Sequence, residues 1–218
     1  WEWCAEMDYV YSYLSYFGYK AGQATMKGFW DRMAALGREP NPFQAGFIQF
    51  VGVADTEAEA RRLYREPAEY FFNRCLHLYP PFADPPGYRT EATVRAGVEG
   101  MVKQAADRVK AASGSSKPGA SAGLSFDEMV DRGYVVIGTP TTVAEQLTKV
   151  ATSLNVGNLM LLCQFGNMDR DLAMFNTDLV ARKVLPEIRG LFTDEWEHRW
   201  WIKPMAADQR RSTTRTEV

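Results

Sequence analysis

Apolar residues recur along this chain in two periods, and the alternation between them is the first structural signal. Tyr9 to Phe17, "YVYSYLSYF", interleaves aromatic and β-branched residues with small ones at a period of two, which predicts a strand. "GQATMKGFWDRMAALG" follows, with Met26, Phe29, Trp30 and Met33 at helical spacing and Gly37 as a stop. "REPNP" interrupts the chain. Phe43 to Ala54 then predicts a second strand, and "DTEAEARRLYREPAEYFFNRCLHLY" a helix in which Thr56 and Glu59 have capping-box spacing and Pro67 introduces a kink.

From residue 80 to 133 the periodicity loosens. This insertion holds one helical pattern, "RTEATVRAGVEGMVKQAADRVKAA", and one flexible stretch, "SGSSKPGASAG", so it is a candidate lid. "YVVIGTPTTVAEQLTKVATSL" predicts an extended stub and a helix capped by Thr139, with Pro140 at its first position. Asn158 to Cys163 predicts a further strand. A last helix, "DRDLAMFNTDLVARKVLPEIRGLF", sets Leu172, Phe175, Leu179 and Val180 on one stripe. The tail from 205 to 218 is polar and expected to be disordered.

Strand and helix therefore alternate, and "LMLLC" is apolar on both faces, as a parallel strand covered on each side must be. The fold class expected is α/β. The chain opens on "WEWCAEMD", helical in pattern with no polar lead, and is expected to start inside a helix.

Composition narrows the function. With 25 Lys and Arg against 27 Asp and Glu, no basic field favours nucleic acid or anionic lipid. No stretch approaches the roughly 20 apolar residues of a membrane span, and a cytoplasmic protein is expected. Cys4, Cys75 and Cys163 are too scattered for a metal knuckle or a disulfide framework, so no metal is expected. His77 and His198 fall away from the predicted strand ends, where catalytic groups of such folds gather.

Taken in order, "WCAEMDYVYSYL", "FIQFVGVADTEAEAR", "GYVVIGTPTTVAEQLTKV", "VGNLMLLCQFGNM" and "DLVARKVLPEIRGLF" resemble the C-terminal portion of bacterial luciferase-like flavin-dependent monooxygenases. The resemblance runs from about Trp1 to Trp201. It implies the C-terminal part of a TIM (β/α)8 barrel over residues 1–204, with the N-terminal strands missing. A whole barrel takes about 250 residues.

The resemblance also implies a cofactor, FMN or a related deazaflavin, used in reduced form with O2 to oxidise a small hydrophobic organic substrate. A flavin reductase would supply it, and the full-length protein would be a homodimer. On the barrel reading, Tyr11, Ser12 and Tyr13 are the candidate cofactor-binding residues. Gln164, Phe165, Gly166 and Asn167, at the rim of the last strand, are the candidates for substrate. Catalytic residues are not identified: on this resemblance the family's phosphate-holding Ser/Thr turn and the first strands, which supply other flavin and substrate groups, precede the segments matched here. The alternatives are a non-catalytic luciferase-like partner subunit with a structural role, and an unrelated α/β module.

Overall fold

The computed structural model describes residues 1–15, 17–75 and 124–198, together with positions 91, 95, 99 and 102. Those four positions are helical, as the pattern over 89–112 predicts, and Arg95 pairs with Glu91 at 2.8 Å. His77, the flexible stretch 113–123, most of the candidate lid and the tail 205–218 lie outside the described residues.

In chain order the elements are α1 (Glu2–Glu6), β1 (Tyr11–Tyr13), α2 (Gly18–Ala35), β2 (Ala45–Val53), α3 (Glu57–Tyr70), α4 (Phe126–Asp131), β3 (Val135–Gly138), α5 (Pro140–Leu154), β4 (Asn158–Leu162), α6 (Arg170–Leu179) and α7 (Leu185–Ile188). A single 3-10 turn, Pro42–Gln44, leads into β2. All strand pairings are parallel.

β2 is the centre of the sheet. Its first residues pair with β1, Tyr11 opposite Ala45 and Tyr13 opposite Phe47. Its last four pair with β3, Phe50 opposite Val135 and Val53 opposite Gly138. β4 pairs with Gly46 through Phe50. Gly46 and Phe47 thus serve β1 and β4 together, and Phe50 serves β3 and β4. β1 and β3 must therefore lie end to end on the same edge of β2, opposite β4.

β1 is shorter than the strand predicted over 9–17: its pairing with β2 ends at Tyr13 and Phe47, and the same edge of β2 is taken by β3 from Phe50 onward. The chain then turns through Gly18, at φ 75°, directly into α2. Gln49 fills the gap between β1 and β3. Its buried Nε2 donates to the Tyr134 carbonyl at 3.1 Å, replacing a rung of the ladder.

Caps and prolines set the helix limits. α2 ends at a Schellman motif: Gly37 stands at φ 69°, its N–H donates to the Ala34 carbonyl, and the Arg38 N–H donates to that of Met33. Thr56 accepts from the Glu59 N–H at 3.1 Å, which is half of the expected capping box. The full reciprocal box forms at Ser125 and Glu128, at the start of α4. Thr139 and Pro140 open α5 as predicted.

α3 runs on through Pro67 and passes into a π-turn, Phe71–Cys75. The predicted last helix divides into α6, a second π-turn over Val180–Val184, and α7. Pro186 has no N–H to return to the preceding turn, so the ladder loosens there.

Two clusters of buried side chains lie on opposite faces of the sheet. The back face, Ala45, Phe47, Val51 and Val53 of β2, packs on α2, α5, α6 and α7 through Phe29, Leu147, Val150, Leu179 and Ile188. The Trp30 indole N–H ties α2 to α5 by donating to the Leu154 carbonyl at 3.0 Å. The front cluster, Phe50, Val135 and Ile137 with Ala60, Tyr64, Phe126 and Met129, is covered by α3 and α4. That cover reaches only the C-terminal half of the sheet. The N-terminal half of the front face is open, and Val10, Leu14 and Met160 are exposed there.

Candidate active site

A strand directs successive side chains to opposite faces, so the back-face cluster fixes the orientation of the candidates. Tyr11 and Tyr13 pack with that cluster. Tyr11 stacks on Phe29 at 5.0 Å between centroids, and Tyr13 lies 6.1 Å from Phe47. Of the three residues expected to hold a cofactor, the structure therefore turns two toward the helices. Only Ser12 faces the open front, where it is exposed beside Gly46.

The environment of Tyr11 yields a test. Burial, with the neighbouring Tyr13 and Cys4 adding to it, pushes its hydroxyl up to about 12. A folded-state value above the unfolded one contributes stability that is complete below pH 10 and lost as the pH rises through about 12. Urea denaturation at pH 9 and pH 11.5 should show a smaller loss in Tyr11→Phe than in the parent. Equal losses would refute the assignment.

The tip of β4 is built as a joint. Phe165 is buried against Phe50 at 5.8 Å and Tyr64 at 6.2 Å. Gly166 stands at φ 60° with the Pro67 carbonyl of α3 where a Cβ would be, 2.0 Å away. Asn167 donates to Glu66 at 2.9 Å rather than capping the next helix, a role taken by Asp169. These three residues seat β4 on α3. Gln164, the fourth candidate, is exposed, two residues beyond the end of β4.

Above the open face stands an aromatic wall that the sequence reading did not single out. Phe71 and Phe72, in the π-turn after α3, lie 4.9 and 5.3 Å from Phe50. They meet each other edge to face at 5.1 Å, and Phe72 also contacts Tyr134 at 5.2 Å. The available signal was "YFF" directly after a helix interrupted by proline.

Behind the mouth, Asn176 of α6 is fully buried. Its side chain accepts from the Val53 N–H at 2.8 Å and donates to the Val51 and Cys163 carbonyls at 2.7 and 2.8 Å. The β2–β4 ladder ends at Phe50 and Leu162, and this one amide satisfies backbone groups beyond it.

The chemistry available is narrow. The front-facing positions of β1, β2 and β4 comprise Ser12, Gly46, Ile48, Phe50, Gly52, Asn158, Met160 and Leu162, and none is ionisable. Burial pushes the Cys163 thiol up, so at neutral pH it is protonated and no thiolate nucleophile. His198 is at the start of β4, its ring packed on Phe43 at 4.3 Å between centroids and bonded to Asn158 at 3.1 Å. Among the described residues no group of His, Cys, Asp or Glu is placed to hold a metal ion. No helix among them is long and apolar enough to cross a membrane. A groove of about 810 Å3 lies away from the mouth, between α5 and the second π-turn, lined by Thr141, Glu145, Arg182 and Lys183 among others.

No family model matches the chain, and no curated protein does. Among solved structures it is similar to the oxygenating constituent of 3,6-diketocamphane monooxygenase from Pseudomonas putida, a type II Baeyer–Villiger monooxygenase in complex with FMN. That match has a TM-score of 0.52 and 21% identity over 85% of this chain and 44% of the other. The monooxygenase RslO1 from Streptomyces bottropensis matches with a TM-score of 0.49 and 17% identity, over 85% of this chain and 44% of that one. The EDTA monooxygenase of Chelativorans sp. BNC1 gives 0.40 and 19%, over 81% and 41%.

The chain thus spans less than half the length of the structures it matches. It shares a fold with part of a flavin-dependent monooxygenase, in agreement with the luciferase-like resemblance of its sequence. The parallel sheet corresponds to part of that barrel.

Proposed function

We propose that this chain forms the C-terminal part of a flavin-dependent, luciferase-like monooxygenase. On this reading the open front face between β1 and β4 is the wall of its flavin and substrate site. The observation that carries the proposal is the pair of exposed apolar side chains, Leu14 and Met160, on a front face of a parallel sheet whose strand positions carry no charge, with Ser12 toward the start of the strands and Gln164 beyond the end of β4.

The residues present fit one part of FMN and not another. A flat ring needs an apolar bed and a few hydrogen-bonding groups at its edge, which Ile48, Met160, Ser12 and Gln164 supply. A phosphate needs a cation or free amides, and the front-facing strand positions carry no cation. The start of α5 is also occupied, since the Thr139 N–H donates to Glu57 at 3.1 Å. The phosphate contacts therefore belong to sequence beyond these strands.

When bound, reduced FMN supplies the electrons that activate O2. This chain's own side chains orient and dry the site. Phe50, Phe71 and Phe72 would exclude water, and the Ser12 hydroxyl or the Gln164 amide would bond a ring edge or a substrate oxygen.

Anaerobic titration of the full-length protein with reduced FMN tests the reading. Saturable binding is expected, and Met160→Lys, which puts a charge on the apolar bed, should weaken it about tenfold or more. A non-catalytic partner subunit would show no saturable binding, and that outcome would remove the enzyme reading.

A further inference from the structure

Tyr11 and Tyr13 face away from the candidate site, yet packing alone does not account for them. Their rings lie nearly parallel, 15° apart, with centroids separated by 6.3 Å. Tyr11 stacks on Phe29 at 5.0 Å, and Phe29 meets Trp30 edge to face at 4.8 Å. An unbroken line of rings therefore runs from the last residue of β1 to the half-buried indole of α2. Among the described residues neither phenol hydroxyl has a hydrogen-bond partner, although both side chains are half-buried. Phenylalanine at both positions would stack equally well and spare the desolvation of two hydroxyls. What phenylalanine lacks is an oxidisable ring, since phenol and indole give up an electron at potentials that leave a phenyl ring untouched.

We propose that Tyr13, Tyr11 and Trp30 form a one-electron relay that drains stray oxidising equivalents from the front face into the helix layer behind the sheet. The inference goes beyond the flavin reading and rests on it, because that reading supplies the oxidant: oxygen-centred radicals escaping from the reduction of O2. Ser12, between the two tyrosines, opens onto the front face, so Tyr13 stands one strand's thickness behind it. The oxygen-centred radical takes one electron from Tyr13 and one proton from solvent, and leaves as the corresponding hydroxyl compound. Tyr13 loses its phenolic proton to water and becomes a neutral tyrosyl radical. That radical recovers an electron from Tyr11 and a proton from water, and Tyr11 is restored in the same way from Trp30, with Phe29 as the bridge. The Trp30 N–H stays on its ring, held by the Leu154 carbonyl at 3.0 Å, so the indole carries the hole as a radical cation. A thiol in solution returns the electron, releasing a proton and becoming a thiyl radical. The sum is one hydrogen atom moved from the thiol to the oxygen-centred radical, with no residue consumed.

Flash photolysis of the full-length protein tests the electron path without the flavin. Photogenerated tris(bipyridine)ruthenium(III), a one-electron oxidant, is supplied to the parent, Tyr11→Phe and Trp30→Phe, and the radicals are followed by transient absorption and EPR. In the parent an indole radical should pass into a long-lived tyrosyl radical. Tyr11→Phe keeps every ring contact but should lose that tyrosyl signal and prolong the indole radical, and Trp30→Phe should abolish the conversion. Tyrosyl yield and indole lifetime unchanged in Tyr11→Phe would overturn the relay. Peptide mapping after aerobic incubation with reduced FMN tests its task. Sulfoxide at the exposed Met160 should rise when Tyr11→Phe and Tyr13→Phe are combined, and equal oxidation in parent and double variant would overturn the draining role. Failure of reduced FMN to bind, with the photochemical dependence on Tyr11 intact, would refute the flavin reading and leave the electron path standing.

Discussion

Gly166→Ala should destabilise the protein by about 2–5 kcal/mol, measured as a shift in the urea midpoint. Two costs combine. An alanine at φ 60° is strained by about 1–2 kcal/mol. Its Cβ would also fall 2.0 Å from the Pro67 carbonyl oxygen, and that neighbour is helix backbone, so either α3 or the β4 tip must move. Gly166→Asn separates the two terms. Asparagine tolerates the left-handed region but carries the same Cβ, so it should rescue little. Displacement of the tip would also move the exposed Gln164. A variant within about 0.5 kcal/mol of the parent would show that the contact with α3 is not a constraint.

The second large effect is expected at Asn176. Asn176→Leu preserves volume but leaves the Val53 N–H and the Val51 and Cys163 carbonyls without their side-chain partner in a dry environment. At about 1–3 kcal/mol for each buried group left unpaired, with partial relaxation, a loss of about 3–5 kcal/mol is expected. Asn176→Asp should be no milder at neutral pH. It can still accept from Val53, but it turns a carboxylate oxygen toward two carbonyls. Lowering the pH should recover part of that loss, because a protonated acid donates to one of them. Measuring Asp and Leu variants at pH 7 and pH 5 distinguishes hydrogen bonding from simple packing, since only the former makes the Asp variant respond.

Much of the fold was legible because it rests on periodicity. Phe43 to Ala54 alternates so that Phe47, Val51 and Val53 meet helices behind while Phe50 meets α3 in front, and the strand followed from that pattern. The cap at Thr139 and the parallel arrangement were equally visible. What was not legible depends on partners distant in sequence. The alternation of Tyr11, Ser12 and Tyr13 showed two faces, but nothing local said that Phe29 would claim the tyrosines and leave Ser12 outside.

The role of Gly166 could be read only as a turn, because its closest neighbour, Pro67, is almost a hundred residues away in the chain. Asn176 occupied a core position in an otherwise apolar stripe, a mismatch that signals buried hydrogen bonding when it is noticed. Phe71 and Phe72 were absorbed into a long helix, since a π-turn has no period of its own in the sequence.

The end-to-end seating of β1 and β3 along one edge of β2 separates two tasks that a symmetric cylinder would combine. The lower reach of β2 belongs to the shared scaffold, whereas its overhang carries β3, α3 and α4 as an added superstructure. Diversification can then act on that superstructure alone: exchanges in α3, in the π-turn after it and in α4 would leave β1 and β4 in register on β2.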